Sequence, residues 1–340
     1  MAIFSVSISI ICRSKGRQVC ASAAYQAREK IFDIRQNLTF AYRNRDGEEL
    51  LATQIMMPAG APAWDRSKLW NECEKAERRK DSQTARSIRL ALPRELNIEQ
   101  MLELVQNFLS EQFLSRGLAC DFAVHDKIAA DGGRQPHLHF LVTTRALLSR
   151  GWAPKKDRKT LCSPADLRRF RADWAAAVNA ALLAAGLGAE VDHRSLSDQR
   201  REIQEFLNSD LPDRESRQIL KAAFHGLSRK PEGKACRQEW RFARRNGELP
   251  TSIALVRTAR DIALSEADEL LALYEDRAKI LALAEENGSR LDTDLVTDPR
   301  YTEATFSEDI AHDSDESAEE IGIDDGDDLP NSLSPFSSDG

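Results

Sequence analysis

Phe4, Val6, Ile8 and Ile10 alternate with Ser5, Ser7 and Ser9, a period of two that predicts a half-buried strand. A basic turn, Arg13 to Arg17, follows. The alanine-rich stretch from Val19 to Ile31, which carries Tyr25, then predicts a helix. Leu38–Tyr42 and Leu51–Met57 read as strands flanking the turn Asn44-Arg45-Asp46-Gly47. Ser67 is placed as the N-cap of a helix reaching about Lys80, because Leu69, Cys73 and Ala76 recur at helical spacing. Ser87–Leu92 is a short strand ended by Pro93, and Asn97 caps a helix to about Arg116.

Two further apolar runs, Leu118–Val124 and Phe140–Val142, read as antiparallel neighbours joined through the turn signal Ala130-Asp131-Gly132-Gly133. Gly151–Leu161 reads as a basic loop. Ser163 starts a long helix to about Ala185, with Phe170, Trp174, Val178 and Leu182 as its core stripe. Strands that alternate with helices but are joined partly by hairpins predict an α/β (α+β) fold with a mainly antiparallel sheet flanked by helices.

The chemistry concentrates in that hairpin. In Pro136-His137-Leu138-His139 the two imidazoles share one strand face, while Leu138, Phe140 and Val142 share the other. His125 ends the partner strand, so the hairpin delivers three of the chain's six histidines to one place. Three neutral imidazoles without a cysteine or carboxylate leave coordination positions open, which suits a catalytic cation: Zn, Mn or, less comfortably, Mg.

The net charge of −7 conceals segregation, because residues 301–340 hold thirteen Asp/Glu and no Lys or Arg. The remaining body is net basic, a layout familiar among nucleic-acid binders. The six cysteines are scattered without a CxxC, and no twenty-residue apolar segment occurs. The expectation is a cytoplasmic protein without membrane insertion, disulfides or zinc fingers. Beyond Asp192-His193-Arg194-Ser195-Leu196 the chain becomes charged and Leu/Ala-rich, predicting helices over 198–225 and 252–286. Between them lies a strongly basic stretch with Trp240 and Phe242, which reads either as a grip for single-stranded nucleic acid or as a solvated helix face. Residues 291–340, acidic and rich in serine, are expected to be disordered. No GxxxxGK[ST] occurs, which excludes a helicase driven through that ATP site.

Residues 1–196 resemble the MobA/MobL relaxases of plasmid mobilisation. The resemblance is carried by Met1-Ala2-Ile3-Phe4, Arg13-Ser14-Lys15-Gly16-Arg17, Ala21-Ser22-Ala23-Ala24-Tyr25 and Leu69-Trp70-Asn71. It continues through Ala91-Leu92-Pro93-Arg94-Glu95-Leu96, Ala123-Val124-His125-Asp126, Pro136-His137-Leu138-His139 and Asp192–Leu196. It implies an HUH-type relaxase domain over 1–196, a helical basic-aromatic region over 197–290 and an acidic tail over 291–340. It also implies metal-dependent, strand-specific nicking of a transfer origin, with Tyr25 attacking one phosphodiester to leave a 5′-phosphotyrosyl DNA that is later religated. His125, His137 and His139 would hold the divalent cation, and single-stranded plasmid DNA would be the substrate. Relaxosome accessory proteins and the coupling protein of a type IV secretion system are the implied partners.

One departure bears on activity. Where relatives carry acidic residues before the Ala-Leu-Pro-x-Glu-Leu stretch, this chain has Ser87 and Arg89. Glu74 is then expected to substitute as the acidic partner of the site. The alternatives are a catalytically impaired DNA-binding protein of the same fold and a rolling-circle replication initiator.

Overall fold

The computed structural model describes residues 4–42, 48–129, 132–157, 160–209, 214–227, 235 and 237–286. The described chain divides into one unit ending at His193 and a second beginning at Arg194. The expected acidic tail and part of the basic-aromatic stretch (Arg229, Lys230 and Lys234) lie outside the described residues.

The first unit opens with β1 (Val6–Cys12), α1 (Val19–Ala27), and a small hairpin of β2 (Ile31–Asp33) and β3 (Leu38–Phe40). It continues with β4 (Glu48–Met56), α2 (Arg66–Ala76), β5 (Gln83–Ala91), α3 (Ile98–Gln112), β6 (Cys120–Lys127) and β7 (His137–Thr143). A second hairpin, β8 (Arg145–Leu148) with β9 (Gly151–Lys156), precedes α4 (Pro164–Ala184). Five strands form one antiparallel sheet in the order β1-β5-β7-β6-β4.

Strand parity sorts this sheet into two faces. Ile88, Leu90, Leu138, Phe140, Val142, Phe122 and Val124 point to one side and pack on α3 and α4. There Phe108 meets Trp174 at 4.8 Å between ring centroids, and Phe113 meets Phe140 at 5.8 Å. Both helices begin in capping boxes, from Asn97 to Gln100 and from Ser163 to Asp166. The expected helix starts at Asn97 and Ser163 therefore hold. The second helix does not start where it was placed: Asp65, not Ser67, accepts from the Lys68 amide as the N-cap of α2.

Two other expectations need correction. The first helix stops at Ala27 because Arg28 takes a left-handed conformation (φ 55°), and Ile31 pairs in β2 instead of continuing the helix. Residues 151–156, read as loop, pair in β9, since β8 offers an antiparallel partner that local composition does not reveal.

α1 and α2 cover the opposite face through Val19, Cys20, Ala23, Leu69, Trp70 and Cys73. Every residue of α1 is buried, which explains its alanines: small side chains let the helix axis approach the sheet closely. α2 is tied down at both ends. Near its start, the Arg66 guanidinium donates to both Asp121 oxygens at 3.0 Å, and Trp70 donates to the same carboxylate at 2.7 Å. At its end, Arg13 donates to the carbonyls of Glu74, Glu77 and Arg79, which satisfies orphan acceptors and complements the helix dipole.

Glu77 links α2 to the second hairpin by ion pairs to Arg145 at 2.8 Å and Lys156 at 3.0 Å. Burial works to raise its pKa, but hydrogen bonds from those two cations outweigh burial and hold it below the usual carboxylate value. The folded state thus binds this proton less readily than the unfolded chain. The stabilisation is present above about pH 4.5 and is lost as the pH falls below it. Acid denaturation followed by circular dichroism should show a shallower loss of stability below that pH in Glu77→Gln than in the wild type.

The second unit holds α5 (Leu196–Leu207), α6 (Arg214–Leu227), α7 (Arg237–Asn246) and α8 (Thr251–Glu286). α6 lies against α8, where Gly226 faces Leu264 and Ala267 and His225 bonds Glu266 at 2.8 Å. No described helix is long and apolar enough to cross a membrane.

Candidate metal centre

On β6 and β7, His125 pairs directly with His137, and Ala123 with His139. Directly opposed residues share a face in an antiparallel pair, so all three imidazoles project toward α1, away from the Phe122–Phe140 core. The ring centroids lie 5.0–5.7 Å apart, and one ligand nitrogen from each ring falls within 4.8 Å of the others.

Two backbone carbonyls set which nitrogen each outer ring offers. His125 Nε2–H donates to the Gln26 carbonyl at 2.7 Å. That carbonyl is available because it belongs to the last turn of α1, where intrahelical donors run out. The His125 Nδ1 atom is left buried with no hydrogen-bond partner. His137 donates from Nδ1 to the Gln135 carbonyl at 3.0 Å, which frees Nε2. His139 is held well below the ordinary histidine pKa by burial first, and then by the neighbouring rings of His137 and His125. A neutral ring keeps a lone pair for coordination. Orphaned Nδ1, outward Nε2 and a neutral third ring together fit a divalent cation, with carbonyl partners orienting the ligands as imidazole-ligated metal sites require.

The carboxylate beside this triad is Glu48, at the start of β4. Its Oε1 lies 3.5 Å from His137 Nε2, and its Oε2 lies 3.7 Å from His125 Nδ1. His125 first, then His137, hold its carboxyl far below the usual range against the opposing effect of burial; Arg28 adds to this. Arg28 also forms an ion pair with Glu48, and its guanidinium lies over the Tyr25 ring at 4.6 Å from the centroid. Tyr25 is buried (7% exposed) and stands edge-on to Tyr42 at 5.5 Å. The tyrosine and the histidines are therefore joined in one connected cluster: Tyr25, Arg28, Glu48, and the His125–His137 pair.

Glu74 does not belong to this cluster. Its buried carboxylate receives Arg13 at 2.6 and 2.9 Å and Arg35 at 3.0 Å. Arg13 in turn bonds the Ser82 carbonyl just before β5 begins, whereas the histidines register against Arg89 and Ala91 at its far end. Six strand residues, about 20 Å, separate those ends. Glu74, expected as the acidic partner, thus lies away from the histidines, and the carboxylate beside them is Glu48. Arg89 does face the centre, paired directly with His139, and Ser87 lies one pair further along on the same face. Asp126 points elsewhere and braces the hairpin through Arg134 at 2.6 Å and the Gln135 amide.

An antiparallel sheet that carries three clustered histidines on one face, roofed by a helix bearing a tyrosine, defines the class of fold and site. The family model for MobA/MobL matches residues 17–206, more than half of the chain, and the chain belongs to that family. A probable conjugal transfer protein TraA of Sinorhizobium fredii is 32% identical over 234 residues, covering 60% of this chain and 21% of the relative. The mobilization protein MobL of Acidithiobacillus ferridurans is 30% identical over 225 residues, covering 57% of this chain and 58% of the relative. The chain thus spans about a fifth of that TraA protein and somewhat over half of that MobL protein. A solved structure described as the molecular basis of vancomycin resistance transfer in Staphylococcus aureus superimposes with a TM-score of 0.51 at 25% identity, covering 57% of this chain and all of that one.

Proposed function

We propose that this protein is a DNA relaxase that nicks one strand of a plasmid transfer origin by tyrosine transesterification and reseals it. The observation that carries this reading is the connected cluster of Tyr25, Arg28, Glu48 and the three histidines. The family membership and the conjugal-transfer and mobilisation names of the relatives support it.

In this scheme the Tyr25 hydroxyl oxygen bonds to the scissile phosphorus as the bond from that phosphorus to the O3′ of the preceding deoxyribose breaks. The phenol proton is lost, and the leaving oxygen gains one to become a free 3′-hydroxyl. The phosphodiester energy is kept in the phosphotyrosyl bond, so resealing needs no ATP. A divalent cation held by His125, His137 and His139 would supply Lewis-acid polarisation of the phosphate and charge stabilisation. Glu48 orients His125 and His137 and offsets the positive charge of Arg89 beside them, the part that acidic residues at positions 87 and 89 would otherwise play. Arg28 connects nucleophile and centre: it holds Glu48 with its guanidinium while lying over the ring of Tyr25.

Incubating the protein with a single-stranded oligonucleotide that carries the nick site should yield a denaturation-resistant protein–DNA adduct when Mn²⁺ or Mg²⁺ is present. Chelation with EDTA should remove the adduct, and added cation should restore it. Tight binding with no adduct under any cation would instead establish the impaired DNA-binding protein.

A further inference from the structure

Gln26 follows Tyr25 in the chain and grips β6 at two points. Its backbone carbonyl accepts from the His125 ring at 2.7 Å, and its side-chain amide donates to the Asp121 carbonyl at 2.9 Å. Both strand residues are fully buried, and Gln26 itself is 4% exposed. Asp121 and His125 are four strand residues apart, about 13 Å along β6. A single grip leaves the helix end free to pivot, whereas two at that spacing fix its height and its rotation.

α1 lacks the usual end fastenings. Its nine residues are too few for a stable isolated helix, Gln18 makes no side-chain cap bond at its start, and its last turn holds no basic residue. Ala21, Ala23, Ala24 and Ala27 give it a smooth surface, and dispersion contacts from small side chains carry little direction. A directional polar grip is what sets its place along the sheet. The strand it grips is held in turn: the Asp121 carboxylate receives Arg66 and Trp70 from α2, and Arg66 also pairs with Glu29, two residues past the end of α1.

A carbonyl only accepts, so the His125 Nε2 atom bonded to Gln26 carries the ring's proton. That leaves Nδ1, the atom 3.7 Å from Glu48, for the cation. Tyr25, one residue earlier, moves with the same turn of helix. A slide of the helix end therefore shifts the phenol and releases the ring together. We infer that Gln26 is a positioning residue that sets the nucleophile and one ligand from a single point: its side-chain tether to β6 keeps its carbonyl on His125 and Tyr25 beside the Arg28–Glu48 pair. The part that concerns Tyr25 rests on the relaxase reading, and the part that concerns His125 rests only on the three-histidine site.

The test is Gln26→Met in the full chain, which keeps the side chain's length and removes its amide donor. Nitrogen NMR of the cation-free protein should show His125 as the Nε2–H form in the wild type and as a mixture of both tautomers in the variant. Calorimetry with Mn²⁺ alone should read about tenfold weaker binding by the variant, the lower end for losing the orientation of a ligand. With Mn²⁺ and a single-stranded origin oligonucleotide both saturating, adduct should still form about tenfold more slowly. Excess cation recovers the ligand but not the placement of the phenol.

A wild type whose His125 carries its proton on Nδ1 would overturn the inference, and this reading stands whether or not the variant folds. So would a Gln26→Met protein with wild-type tautomer and Mn²⁺ affinity, whatever its melting temperature, because a buried amide that only satisfies its own hydrogen bonds affects stability alone. An unchanged adduct rate at saturation, beside the expected NMR and calorimetry, would overturn the Tyr25 half. Wild-type protein that gives no adduct, with NMR and calorimetry as expected, would overturn the relaxase reading and leave the hold on His125 standing.

Discussion

Tyr25→Phe should abolish the covalent protein–DNA adduct and leave single-strand affinity within about twofold of the wild type. The substitution deletes one oxygen from a ring whose packing is otherwise complete: edge-on to Tyr42, under Arg28, and buried within an all-buried helix. Phenylalanine fills the same volume, so α1 and the Gln26 carbonyl that positions His125 stay in place. Loss of the nucleophile removes the bond-forming step entirely, an effect far beyond the 10²–10⁴-fold typical of an acid–base group. Gel analysis under denaturing conditions with a labelled oligonucleotide reads it directly. Tyr42→Phe serves as the control, since it contacts the same ring yet lies off α1. Adduct that persists in Tyr25→Phe and vanishes in Tyr42→Phe would reassign the nucleophile.

The second large effect is expected at the histidines. His137→Ala removes one of the three candidate ligand atoms and the carbonyl-anchored ring that presents it. Cation binding measured by calorimetry should become undetectable, and cleavage should fall to background. DNA affinity in EDTA should change little, because phosphate contacts elsewhere carry binding. Glu48→Gln gives the graded comparison. It keeps shape but loses the charge that holds His125 and His137, and loss of such an orienting partner typically costs 10–100-fold in metal affinity. Excess Mn²⁺ should therefore rescue Glu48→Gln and fail to rescue His137→Ala. A His137→Ala protein that loses DNA binding and cleavage in equal measure would show that the histidines hold the fold together.

Arg89 marks the electrostatic consequence of the departure at positions 87 and 89. It stands directly across from His139, where its charge helps keep that ring neutral. Glu48, the carboxylate beside His125 and His137, stands on the other side of the triad, on β4.

Alternation along β7 sufficed to place His137 and His139 on one face and Leu138, Phe140 and Val142 in the core, because strand parity is a local property of the backbone. The turn signal between the two apolar runs likewise sufficed to bring in His125. Asn97 and Ser163 announced their helices because capping boxes are written within four residues. These elements were legible since each depends on neighbours in the chain.

Glu48 was not legible, and the reason is a bulge. The register of β4 against β6 shifts between Leu50 and Ala52, so Leu51 and Ala52 both pack toward the core while Leu50 and Glu48 turn to the histidine side. Simple alternation back from Ala52 assigns Glu48 to the wrong face. Glu74 misled in the opposite way: it lies on a helix that does pack over the correct face, but Arg13, sixty-one positions earlier in the chain, holds it at the far end.

The amino-acid sequence by itself determined that three histidines share one face of a hairpin and that capped helices bracket them, since period and capping are short-range physics. Only the tertiary structure decided which carboxylate meets the histidines and which nitrogen each ring presents. Those choices depend on a register shift and on two backbone carbonyls, Gln26 and Gln135, whose free lone pairs exist only once α1 ends and the hairpin closes.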